Sequence, residues 1–225
     1  MFAKLLGRAY TAPEEEAYQR LARKGYKPAS IIDVGAYEGN WTRLARSVFP
    51  GTPAMMVEAQ PAKLPILQTV VSELPQVRLE SAVLSGTRGE EITFFAMETG
   101  SSMMPERSNV DREKLTLKTE TLDHLAQDIK GPIFLKIDVQ GAELKVLSGG
   151  EETLKRCDLV QLEIAVLHYN EGAPTFLEVI QYMDDHGFVP YDLSGSSRPN
   201  GVDLVQVDWL FVRRDSELRT EFFEF

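Results

Sequence analysis

The chain has 225 residues, 43% hydrophobic and 26% charged, with a formal net charge of −10, a composition suited to one globular domain with a full core. The acidic balance argues against nucleic acid as a partner, because a polyphosphate would have to overcome the overall repulsion. The single cysteine, Cys157, cannot form an intramolecular disulfide, and no apolar run approaches the roughly 20 residues of a membrane span. Stable membrane insertion is therefore not expected, and the cytoplasm is the expected compartment.

Residues 1–29 read as an N-terminal helical segment: Phe2, Leu5 and Leu6 alternate with Lys4 and Arg8, and 13–24 has helical periodicity with acidic residues in its first turn and Gly25 as a stop. A domain over 30–214 follows. Residues 30–34 form a short apolar strand ending in Gly35, and 40–49 read as a helix with Asn40 as N-cap. Strand, helix and strand recur at 53–57, 61–74 and 77–83, which implies a parallel sheet. Strand-like segments at 91–97 and 114–120 enclose a polar stretch and read as a flap near 97–113. Thr121 caps a helix through Ile129, 132–139 is a strongly apolar strand, and 141–147 is a helix stopped by Gly149 and Gly150. A strand at 158–164 and a helix at 174–186 come next. Two closing strands, 188–193 and 209–213, lack a helix between them and should pair antiparallel. Residues 215–225 form a tail whose Phe222, Phe223 and Phe225 suit docking on the domain or on a second subunit, a frayed tail being the competing reading; the oligomeric state stays open, a homodimer among the options.

The turn from Asp33 to Gly39 follows the first strand directly. Gly35 and Gly39 let a ligand approach the backbone, and the helix beyond offers unpaired N–H groups. The spacing is D-x-G-x-x-x-G; Tyr37 and Asn40 stand where a dinucleotide fingerprint would want further glycines. A tight ligand-free connection is the competing reading. Glu58 ends the second strand about 20 residues on, where an acid can accept both hydroxyls of an adenosine ribose. The small residues Ser81 and Ala82 leave room for an adenine ring or are plain core. Together with a reversed last strand, these features favour S-adenosylmethionine (SAM) over a dinucleotide and give a Rossmann-like α/β sandwich with a mostly parallel seven-stranded sheet and an antiparallel last strand.

The fourth and fifth strands carry unexpected charge. Period two puts Lys136 and Asp138 on one face, and Gln161 and Glu163 on one face of the next strand. A buried lysine is costly unless paired, so Lys136 is expected to pair with Glu163 or Asp138 near the carboxyl edge of the sheet, as a core-ordering ion pair or as part of catalysis. His168 lies just beyond the fifth strand, and an imidazole suits removal of a proton from an acceptor hydroxyl; Asp138 and Glu163 are rival bases. The spacing of Asp138, Glu163 and His168 matches no metal signature, so no metal is expected.

The segments 33–42, Val57-Glu58, Thr121-Leu122-Asp123 and Leu135-Lys136-Ile137-Asp138-Val139-Gln140-Gly141-Ala142-Glu143 resemble the FkbM family of SAM-dependent methyltransferases over residues 31–211. The resemblance implies a class I methyltransferase fold and, in most members, O-methylation of hydroxyls on sugars or natural products. It implies Gly35 and Gly39 at the methionine part of the cofactor, Glu58 at its ribose, Asp138 and Gln140 near the methyl donor, and an acceptor-side loop at Ser101 and Ser102; the turn and the strand ends add Asp33, Ala36, Tyr37, Asn40, Thr42, Ala59, Ser81 and Ala82 to the expected cofactor site, and Tyr169 to the acceptor side. Ala59-Gln60-Pro61 departs from the family, which commonly has proline directly after the acid. The expected function is methyl transfer from SAM to a hydroxyl of a small molecule or glycan. The alternatives are a SAM-binding or partner-binding protein without turnover and, disfavoured by the missing glycine, an NAD(P)-dependent oxidoreductase.

Overall fold

The structure, a computed structural model, describes residues 13–97, 100–105, 112–167 and 170–220. The first half of the chain runs α1 (Pro13–Arg23), β1 (Ser30–Val34), α2 (Asn40–Val48), β2 (Ala54–Glu58), α3 (Leu64–Glu73), β3 (Val77–Ser81), β4 (Val83–Leu84), β5 (Glu91–Ala96), β6 (Glu113–Glu120) and α4 (Leu122–Leu125). The second half runs β7 (Ile133–Ile137), α5 (Glu143–Ser148), α6 (Glu151–Leu154), β8 (Cys157–Ala165), α7 (Phe176–Asp185), β9 (Phe188–Ser197) and β10 (Gln206–Arg213). Seven strands form one sheet in the order β3-β2-β1-β7-β8-β10-β9. The five strands from β3 to β8 run parallel, and β10 lies antiparallel to both β8 and β9, as the missing connecting helix requires.

Strand order reverses between β1 and β7, so the crevice above their carboxyl ends is where such a sheet binds ligands. β1, β2 and β7 are buried along their whole length, which is why they read as continuous apolar runs. The two faces are covered differently. Ile32, Val34, Met55, Val57, Leu135, Ile137, Val160, Leu162 and Phe211 point to one side, where Leu122 of α4, Val146 of α5, Leu154 of α6 and Val179 and Met183 of α7 close over them. Ile31, Met56, Phe134, Leu159 and Leu210 point to the other, beneath Tyr18 and Leu21 of α1, Trp41 and Ala45 of α2 and Leu67 of α3. There Phe134 is boxed edge-to-face by Tyr18 at 5.3 Å and Trp41 at 5.2 Å, the arrangement that aromatic quadrupoles favour.

Several sequence expectations are corrected. Asn40 is not the cap of α2: Gly39 holds that position in a left-handed conformation with no side-chain capping bond. Residues 77–83 are two strands, because the chain leaves the large sheet at Ala82 and β4 joins a second sheet of order β4-β6-β5. That small sheet carries the flap. The helix after Thr121 stops at Leu125, and Thr121 makes no side-chain cap bond. α7 begins later than expected, at Phe176, where Thr175 and Glu178 form a reciprocal capping box. Both closing strands are longer than the apolar pattern suggests, since β9 reaches Ser197 and β10 starts at Gln206. Polar residues there are held in the sheet by ladder hydrogen bonds, which no hydropathy pattern reports.

Candidate functional site

A cavity of about 440 Å³ opens above the strand-order reversal, within the usual size range of small-molecule sites. Its floor is the first turn of the chain after β1, its sides are the ends of β2 and β7, and the flap forms its far wall. The floor depends on Gly35. At φ +76° its backbone runs so close to β7 that a Cβ would lie 1.9 Å from the Asp138 carbonyl oxygen. The turn is tied down as Gly35 and Ala36 N–H groups both donate to the Val57 carbonyl and Asp138 N–H donates to Val34. Gly39 serves packing: a Cβ there would stand 2.7 Å from Val70 of α3.

Glu58, at the end of β2, is 5% exposed and lines the cavity. Its Oε2 accepts from Tyr37 N–H at 2.7 Å and its Oε1 from Gln60 N–H at 2.8 Å. Burial pushes its carboxyl upward from the ordinary value, while these two backbone donors oppose that shift. A carboxylate offers about four acceptor positions, so each oxygen keeps capacity facing the cavity. Ala59 stands at the position directly after the acid, and the N–H of the next residue, Gln60, is one of the two donors. Tyr37 adopts φ +50°, and Lys63 Nζ sits 4.0 Å from its ring centroid while bonding Glu38 Oε1 at 3.0 Å, so the turn is braced from outside. Ala59 and Ala82 line the cavity near Glu58; Ser81 is exposed and does not.

Below the floor, Lys136 is almost wholly buried and makes its ammonium contacts with Asp33 Oδ1 at 3.1 Å, the Gly35 carbonyl at 2.9 Å and Asp138 Oδ2 at 3.5 Å. Burial draws its pKa down, but Asp33 and Asp138 outweigh this and hold it above the ordinary lysine value. The expected partner Asp138 is present; Glu163 is not an ion-pair partner, and the principal one, Asp33, comes from the neighbouring register position on β1. Asp33 and Thr42, both read from the sequence as cofactor contacts, are fully buried and bonded to each other at 2.6 Å. They do not line the cavity, nor do Ala36, Gly39 and the exposed Asn40. Their role here is to lock the turn: Lys136 bridges a carboxylate of β1, the carbonyl of the glycine turn and a carboxylate after β7.

At the end away from Glu58, the cavity meets Asp138, Gln140, Glu163 and Gln206. Gln140, at φ +54°, donates its Nε2 to Asp138 Oδ1 at 2.9 Å and to Glu163 Oε2. The other oxygen of Glu163 accepts from Gln206 Nε2. Burial first, then the neighbouring Asp138 carboxylate, raises the Glu163 carboxyl well above the usual range. Beneath the same loop, Glu143 accepts from Gly141 N–H at 3.0 Å and is pushed up to about 7 by burial. On the flap side, Ser101 lines the cavity, whereas Ser102 is 1% exposed and packs its hydroxyl 2.9 Å from the Gln140 carbonyl, fastening flap to loop. His168 and Tyr169 lie outside the described residues. Gln206 and Asp208 were missed because the closing strand was read as starting at Trp209; extending the period of two back from Leu210 puts both on the face of Glu163.

A family model described as the methyltransferase FkbM domain matches residues 33–190. No curated protein matches the sequence. Among solved structures, the chain is similar to an rRNA methylase from Streptococcus thermophilus, at 13% identity and TM-score 0.52 over 92% of this chain and 99% of that one. It is similar also to the N-terminal domain of EvdMO1 in the presence of SAH and D-fucose, at 11% identity and TM-score 0.52 over 92% and 85%. A third is precorrin-6y C5,15-methyltransferase from Geobacter metallireducens GS-15, at 11% identity and TM-score 0.50 over 89% and 87%. At such identities the likeness shows the fold, that of class I methyltransferases, while the family match spans well over half of the chain. A glycine turn and an acidic strand end facing one cavity at the strand-order reversal, in this fold and with this match, mean that the chain belongs to the FkbM family of SAM-dependent methyltransferases.

Proposed function

We propose that the cavity binds SAM and that the protein transfers its methyl group to a hydroxyl of a small molecule or glycan. The observation that carries the reading is Glu58: a buried carboxylate, pinned by two backbone N–H groups at the lip of the cavity, with unused acceptor capacity on both oxygens. A ribose diol is a two-donor group that would satisfy it. Gly35 gives the cradle in which the methionine part would lie, since any side chain there would collide with Asp138, and Ala82 leaves space beside Glu58 for a flat base. Bound in this way, SAM supplies an electrophilic methyl group. Everything else rests on this chain's own residues. Glu58 orients, the Lys136 network keeps the turn and the β7 end at fixed separation, and Phe94 of β5 with the flap residues Ser101 and Met103 excludes water from the far wall. Holding an acceptor oxygen in line supplies much of such a reaction's acceleration.

A structural neighbour determined with both SAH and D-fucose supports a hydroxyl acceptor, and the chain's net charge of −10 supports a non-nucleic-acid one. Titration calorimetry with SAM tests the foundation. The native protein should bind, and Glu58→Ala should lose affinity by about 10- to 100-fold, the loss of one or two charge-assisted hydrogen bonds; unchanged affinity sinks the ribose assignment. Transfer of a labelled methyl group to a panel of sugars and hydroxylated metabolites tests turnover, and binding without transfer to any of them would instead favour a non-catalytic SAM-binding protein.

A further inference from the structure

We propose that Gln140 and Gln206 clamp the Glu163 carboxylate at the acceptor end of the cavity, and that Glu163 so held is the group that takes the acceptor's proton. The inference rests on the SAM reading above and deepens it. Gln206 is the positioning residue, and nothing in its local sequence singles it out.

The geometry has three parts. Glu163 sits near the carboxyl end of β8 and lines the cavity. Gln140, from the loop after β7, donates to its Oε2, and Gln206, the first residue of β10, donates to its Oε1. Because β10 runs antiparallel to β8, with Asp208 opposite Glu163, Gln206 lies one diagonal step away on the same face, within reach of a long side chain. Each carboxylate oxygen thus receives one neutral donor and keeps another acceptor position. The rival base Asp138 is engaged differently, since it is an ion-pair partner of Lys136. Among the described residues the ion pairs of this cluster join Lys136 to Asp33 and Asp138, while Glu163 is held by the two amides and shares a side-chain hydrogen bond with Asp138.

Among the described residues, the groups facing Glu163 are Asp138 and Lys136 from β7 and the loop after it, Glu143 from α5 and Asp208 from β10. Three carboxylates against one ammonium, in a buried place, make Glu163 a better proton acceptor than an exposed glutamate, and donors to its ionised form keep it able to lose the proton again. In the transfer, the acceptor oxygen forms its bond to the methyl carbon as the carbon–sulfur bond of the donor breaks, the bonding pair stays on sulfur, and the hydroxyl proton passes to Glu163. The two amides hold the receiving oxygens at the cavity wall rather than letting them turn toward Lys136.

The test reads Glu163 directly, without needing the natural acceptor. In full-length protein labelled with carboxyl-13C glutamate, the Glu163 resonance is identified by its disappearance in Glu163→Gln and titrated by NMR. The native midpoint should lie above that of exposed glutamates, and Gln206→Met, which keeps the length and removes the donor, should raise it by about one pH unit with SAM affinity unchanged within about twofold. If Gln206→Met does not fold, Gln140→Met gives the same midpoint comparison from the other side, read by NMR alone because Gln140 is itself among the expected cofactor contacts. An unmoved midpoint overturns the clamp. With any hydroxylated acceptor that the native protein methylates, Glu163→Gln should reduce kcat by about 100-fold or more, and the acidic limb of the pH profile should shift upward in Gln206→Met by the amount the NMR midpoint shifts. Retention of kcat in Glu163→Gln overturns the base assignment. Failure of the native protein to bind SAM overturns instead the reading on which this one rests, and calorimetry distinguishes the two.

Discussion

On the sheet face under α4 to α7, β1 presents Ile32 and Val34, β7 presents Ile133, Leu135 and Ile137, and β8 presents Val160, Leu162 and Ile164. On the opposite face the same strands present Ile31 and Asp33, Phe134 and Lys136, and Leu159, Gln161 and Glu163. Only the second face turns polar toward the carboxyl ends, and there Gln161 bonds Tyr18 and Glu14 of α1, Lys136 bonds Asp33, and Glu163 bonds the two glutamines. One face is a dry core whose residues exchange dispersion and area; the other is a layered structure in which an aromatic box supports a hydrogen-bonded ladder that reaches the cavity. The difference teaches that the site is an extension of half of the core rather than an addition to the surface, so mutations on the two faces should separate stability from chemistry.

The sharpest way to break this contrast is Lys136→Met, which leaves Asp33 and Asp138 without their cation. It should cost about 3–5 kcal/mol by urea denaturation, and adding Asp33→Asn should recover part of that cost; additive losses would show that the ladder is not a coupled unit. On the dry face Leu135→Ala should cost about 2–5 kcal/mol while leaving SAM affinity, measured under folding conditions, unchanged. A parallel loss of affinity would mean the faces are not separable. Thr42→Val removes a hydroxyl donor from buried Asp33 and should cost about 1.5–3 kcal/mol in thermal unfolding, with a weakening of SAM binding that Leu135→Ala does not share. The smallest effect concerns pH. Glu143 is raised to about 7 by burial, so the folded state holds its proton where the unfolded one has lost it. Its contribution to stability is fully present below about pH 4.5 and is lost as pH rises toward 7. Glu143→Gln should flatten that decline by roughly 1–3 kcal/mol across the window, and a Gln variant with the native slope would assign the decline elsewhere, the half-buried Asp208 being the other carboxyl raised to about 7.

Much of this was legible in the residues. The order of strands and helices follows from apolar runs punctuated by Gly35, Gly149, Gly150 and Gly187, and the antiparallel pairing of β9 and β10 follows from the absence of a helix between them. The oddity of Lys136 in an apolar strand was visible as well, because buried lysine is rare enough to demand a partner. Its main partner was not visible. Asp33 lies 103 positions away and reads locally as part of the glycine turn, and only the parallel register of β1 with β7 sets it opposite Lys136. The same holds for Gln206: a glutamine in a polar stretch carries no signal until the antiparallel ladder shows it one step from Glu163. Asn40 misled for the opposite reason, as a good cap by composition in a turn where Gly39 already takes the required left-handed conformation.

What the chain determined by itself is therefore the order of the main strands and helices, the reversal of the closing strand and the place of the turn from Asp33 to Gly39, since these depend on local periodicity and on which residues tolerate positive φ; the short β4 and α6 were not among them. The tertiary structure decided which of the polar residues face the cavity and which lie beneath it. Asp33 and Thr42 became supports, Glu58 a wall with spare acceptors, and Glu163 the centre of an amide clamp. Strand register makes these assignments, because it places side chains from distant parts of the sequence on one face at hydrogen-bonding distance, and register is a property of the assembled sheet rather than of any single segment.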